Sequence, residues 1–151
     1  LVKDRRTLVP AGVQMVKKEF PLSPMECAVL LLLLFVGILL FEWKRKHCLT
    51  WIDAVVMLGI GLAGCVIVLM FFSEHPTTST NLQVLLLNPL PLFFIPAVVR
   101  KKKTARRYWL LTIGLIALFL IGGLWQDYAE GMEILALCLL TRCLSHLKND
   151  K

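Results

Sequence analysis

The sequence predicts an all-α polytopic membrane protein. About five transmembrane helices are expected, with the N-terminus outside, the C-terminus cytoplasmic and the third helix broken by prolines. Three observations predict it. Five apolar stretches, residues 27–43, 51–72, 82–99, 108–125 and 132–147, alternate with polar loops. Most of them approach the roughly 20 residues that a helix needs to cross ~30 Å of hydrocarbon. The loops alternate in charge. The first carries Lys44, Arg45 and Lys46, and the third carries Arg100, Lys101, Lys102, Lys103, Arg106 and Arg107. The second carries Glu74 without Lys or Arg, and the fourth carries Asp127, Glu130 and Glu133. Short loops rich in Lys and Arg stay cytoplasmic, so the charges also fix the direction.

Composition agrees. Hydrophobic residues make up 58% and charged residues 18%, and the mean hydropathy is +0.74, values of a membrane class. In a soluble chain a net charge of +7 would suggest nucleic acid. Here most of it sits in two short loops, so topology explains it and nucleic acid is not an expected partner. Attraction to anionic lipid is a secondary effect. The five cysteines lack CxxC spacing and imply no disulfide framework. Cys65 and Cys138 fall in apolar helices as packed thiols.

Residues 1–24 are mixed and basic, with Lys3, Arg5, Arg6, Lys17 and Lys18. The topology puts them outside, against the positive-inside bias, from which long translocated domains are exempt. The sequence opens on Leu1. We therefore expect residues 1–24 to be a juxtamembrane segment joined to a large extracytoplasmic domain, and residues 25–151 to form the membrane domain. A peripheral segment over residues 9–20 is the alternative. The prolines at 10, 21 and 24 make it a poor long helix.

The first helix is nearly pure Leu, Val and Phe from Ala28 to Phe41, which suits a lipid-facing anchor. The second has Asp53 near its cytoplasmic start and Gly59, Gly61, Ala63 and Gly64 in its middle. Small residues four apart, such as Gly59 and Ala63, predict close helix packing. The third contains Asn88, Pro89, Pro91 and Pro96, which disfavour regular helix around residues 87–91. In lipid such backbone must be buried in protein or line a wet cavity. The helix proper is expected to begin near Pro91, with Asn88 satisfying freed carbonyls. The fifth carries Arg142 one to two turns from its cytoplasmic end. A charge at that depth finds a partner or reaches the interface, so Asp53 and Arg142 are expected to pair, with snorkelling of Arg142 as the alternative.

The outer loop, residues 73–81, is the densest polar cluster between helices. Glu74 and His75 suit an orienter and a base. Asn81 and Asn88 suit hydrogen bonding to a lipid headgroup or carbonyl. A capped turn after Pro76 explains the same residues without a ligand. A Cys27–His75 thiol–imidazole pair is chemically conceivable. No metal-ligand spacing, Gly-rich phosphate loop or nucleic-acid motif appears, and no cofactor is implied.

Several of these residues also carry a resemblance. Trp51-Ile52-Asp53-Ala54-Val55, Gly61-Leu62-Ala63-Gly64-Cys65, Phe72-Ser73-Glu74-His75-Pro76, Asn81 and Leu87-Asn88-Pro89-Leu90 resemble the C-terminal membrane region of the Lnb family. These are envelope proteins of Bacteroidota with an N-terminal periplasmic domain. The likeness covers residues 51–95 in motif and the rest in layout. It implies a bacterial inner-membrane protein concerned with lipoprotein N-acylation, in which an acyl chain moves to the amino group of a lipoprotein's N-terminal cysteine. It places the thiol-dependent machinery in the periplasmic domain, upstream of Leu1. It marks Asp53, His75, Pro76, Asn81, Asn88 and Pro89 as positions of interest without a catalytic role for any of them.

Two function classes follow. The chain is the membrane half of an acyltransferase, with membrane lipids, lipoproteins and an upstream periplasmic domain as partners. Alternatively it is a noncatalytic membrane subunit that assembles with other envelope proteins. A transporter is weaker, since no inverted repeat and few intramembrane charges are present.

Overall fold

A computed structural model of the chain describes residues 21–72 and 81–149. Five helices run in order: α1 (Pro24–Arg45), α2 (Thr50–Met70), α3 (Leu90–Val99), α4 (Lys103–Gly122) and α5 (Met132–Asn149). A short 3-10 helix, Leu82–Leu85, precedes α3. Among the described residues there is no strand. Four segments, α1, α2, Leu82–Val99 and α4, are long and apolar enough to cross a membrane. The fifth, α5, is as long as the third but carries Glu133, Arg142 and Lys148.

The starts of α1 and α3 have local causes. Ser23 caps α1 in a capping box with Glu26, which satisfies two orphan donors reciprocally. Lys46 ends α1 in the left-handed conformation, φ 52°. At the third segment the chain breaks between Leu85 and Leu90 as the prolines predict. Asn88 Nδ2 donates to the Leu85 carbonyl at 3.2 Å, and its Oδ1 accepts from the Leu90 N–H at 3.1 Å. Pro89 is the N-cap of α3 and Pro91 falls in its first turn, where a missing N–H costs nothing. The helix α4 starts at Lys103, five residues before the predicted apolar stretch. The loop from α3 is so short that Arg106 and Arg107 are helical, and both are exposed.

Only one stripe of α1 is buried, Ala28, Phe35, Leu39 and Glu42, and most of the rest is exposed on the outside of the bundle. That stripe packs chiefly against α5, while α2 packs chiefly against α3. The helix α4 lies between them, touching α3 and α5. Met57, Tyr108, Trp109, Ile116, Phe119, Ala136 and Cys143 form the centre of the core.

The packing face of α2 corrects one expectation. Its buried residues are Asp53, Met57, Gly61 and Gly64. A methyl group on Gly64 would stand 2.2 Å from the Asn88 carbonyl carbon, and one on Gly61 would stand 2.4 Å from Leu92. Gly59 is exposed with nothing near it, and Ala63 is half-buried. The small residues do permit close approach, but on the face of 61 and 64. The break at Asn88 seats its backbone on that face, which is how irregular backbone is sheltered from lipid.

Candidate functional site

Two polar places stand out, one at each end of the bundle. The first is the predicted outer mouth. Glu74 and His75 lie outside the described residues. Asn81 caps the 3-10 helix, its side chain accepting from the Gln83 N–H at 3.0 Å. Asn88 closes the break described above. Both amides therefore make cap bonds within their own segment. The mouth is tied across the bundle by the Leu82 N–H, which donates to Gln126 Oε1 at 2.8 Å. Below it, Asn88, Pro91, Tyr108 and Thr112 line a cavity of about 10 Å³, room for a single water.

The second place is at the basic end, which the positive-inside rule assigns to the cytoplasm. The pairing expected of Asp53 and Arg142 is present: Arg142 Nε donates to Asp53 Oδ1 at 2.7 Å. The same guanidinium also grips Glu42 with both terminal nitrogens, at 2.9 and 3.0 Å. Such fork-to-fork pairing fixes geometry as well as charge. Glu42 further accepts from the Ser145 hydroxyl and from the Leu49 N–H. Asp53 Oδ2 lies 2.7 Å from His146 Nε2, and the His146 ring stacks on Trp109 at 4.5 Å. Cys48 Sγ contacts the carbonyl and hydroxyl of Ser145 at 3.7 Å.

Glu42, Asp53 and Ser145 have no exposed surface, and Arg142 has 1%. A lone charge at this depth is costly. Here each carboxylate meets the guanidinium and at least one further polar group. Arg142, Ser145 and His146 share one face of α5 through i, i+3 and i+4 spacing. They reach Glu42 on α1 and Asp53 on α2, so one side chain clasps three helices.

Sequence reasoning found Asp53 and Arg142 but missed Glu42, Ser145 and His146. A signal existed. Glu42 continues the 28–35–39 stripe of α1, and 145 and 146 continue the face of 142.

The geometry defines a multi-pass membrane protein whose helices are locked at one end by a buried ion network. The chain belongs to the Lnb transmembrane domain family, whose five-helix model matches residues 16–151. No curated protein and no solved structure matches it.

Proposed function

We propose that this chain is the membrane half of a bacterial inner-membrane enzyme of the lipoprotein N-acyltransferase kind. It anchors a periplasmic domain that carries the chemistry. It presents lipid or lipoprotein at the outer leaflet through Glu74, His75, Asn81 and Asn88. The observation that carries this reading is membership of the Lnb transmembrane family over nearly the whole chain. Two features of the bundle support it. The capping box at Ser23 sets a defined entry into α1, as an anchored domain needs. The ion network ties α1 to α2 and α5 at the opposite end of the bundle, which fixes where α1 stands.

The test uses the full-length protein with His75→Ala and Asn88→Ala, singly, at verified membrane abundance. Reduced lipoprotein acylation in the His75 variant is expected. Unchanged acylation in both variants removes the outer mouth from the function and leaves all chemistry to the periplasmic domain.

One observation favours a second reading, a noncatalytic subunit of an envelope complex: the amides of Asn81 and Asn88 are used in local caps. Stable copurification with other envelope proteins, together with normal lipoprotein acylation in a deletion strain, distinguishes it.

A further inference from the structure

A cleft opens at the basic end of the bundle, the end opposite Asn81 and Asn88. Its volume is about 590 Å³, within the range of small-ligand sites. Lys46, Lys101, Lys102, Lys103 and Arg106 line it, with Cys48 and His146 among its walls. Five of its ten lining residues are thus Lys or Arg, and none is acidic. Among the described residues none of these five cations has a carboxylate partner, and carboxylate ion pairs are confined to Arg142 and His146. Lys101 instead meets His47, Nζ to Nε2, at 3.4 Å.

The backbone brings them together at some strain. Lys46 and Lys101 both hold left-handed conformations, φ 52° and 49°, which are uncommon for residues other than glycine. Each is the turn residue after a helix, and each keeps a lysine where glycine is the ordinary choice. The start of α4 adds to the field. Lys102, Lys103, Ala105 and Arg106 all line the cleft, so the positive end of the α4 dipole lies at its edge. Cations at a helix N-terminus oppose that dipole, and an anion in the cleft relieves both repulsions at once.

We propose that this cleft binds a phosphate-bearing anion. Lysine ammonium groups suit phosphate as converging point charges. The cleft is large enough for a substituted phosphate. The positive-inside rule puts this end of the bundle at the cytoplasmic face, where basic pockets between helices take up phospholipid heads. A soluble phosphate ester offers the same chemistry from the cytoplasm.

The test compares two charge-matched variants of the full chain, purified in uncharged detergent. Lys101→Gln with Lys103→Gln removes two cations from the cleft. Arg100→Gln with Arg107→Gln removes two from the same segment, at exposed positions that do not line it. Binding of phosphatidylglycerol is measured by native mass spectrometry, and binding of glycerol 3-phosphate by calorimetry. The unaltered chain is expected to bind at least one of them saturably. The cleft variant should weaken that binding by roughly tenfold or more, with the control variant near the unaltered chain. Phosphatidylglycerol alone identifies a lipid ligand; glycerol 3-phosphate at comparable affinity identifies a soluble one. Equal weakening in the two variants reduces the cleft to diffuse loop charge and overturns the proposal. So does the absence of saturable binding by either probe.

Discussion

Arg142 and Asp53, 89 residues apart in the chain, meet at 2.7 Å in a setting with almost no exposed surface. Glu42 completes the clasp from the other side of the guanidinium. Removing one partner of a buried pair leaves an uncompensated charge, which costs about 3–5 kcal/mol. Arg142→Met strands two carboxylates and should lower the thermal midpoint in detergent most. Glu42→Gln keeps the volume and leaves Arg142 with Asp53, so it should cost less. The double variant should recover part of the Arg142→Met loss. Melting of Arg142→Met at the unaltered temperature refutes the clasp as a source of stability.

The layout of five helices was legible because hydropathy and loop charge report the solvent, and in a membrane the solvent dictates the backbone. The Asp53–Arg142 pair was legible because depth could be counted from the helix ends. The break at Asn88 was legible because proline chemistry is local. What periodicity alone did not show is which face meets a neighbour. Gly59 and Ala63 have the spacing of a packing face, yet the partner lies over Gly61 and Gly64. Glu42 was hidden for a related reason. It ends a Leu-rich helix beside Lys44 and Arg45 and reads as an interfacial residue until α5 supplies its partner.

The contrast between the two glycine faces makes a direct prediction. Gly64→Ala forces the backbone at Asn88 to move and should destabilise by about 1–3 kcal/mol. Gly61→Ala should cost less, since the atoms in the way belong to the Leu92 side chain. Gly59→Ala meets open space, and its effect should be neutral or stabilising by up to about 1 kcal/mol. Thermal melts of the three variants test the order. A tolerated Gly64→Ala refutes the close approach of α2 to the break.

The basic end of the bundle should face the cytoplasm. A single cysteine placed at Lys102, with the native five replaced by serine or alanine, should react with an impermeant maleimide only after the inner face is opened. Lys102 is exposed, so accessibility is not limiting. Reaction from the outer face reverses the orientation and, with it, the placement of both polar ends.

Asn88 offers a way to separate architecture from substrate contact. Its oxygen accepts from the Leu90 N–H and its nitrogen donates to the Leu85 carbonyl. Losing a side-chain cap costs about 1 kcal/mol, so Asn88→Ala should lower the thermal midpoint measurably. Asn88→Asp keeps the acceptor for Leu90, loses the donor to Leu85 and adds a negative charge that the N-terminus of α3 favours, so it should retain more of the stability. If the residue acts only as a cap, lipoprotein acylation in the full-length protein should follow stability across the two variants. If it also touches substrate, acylation should fall further than stability does in at least one of them. Asn88→Ala with an unaltered midpoint overturns the cap, because both of its hydrogen bonds are then dispensable.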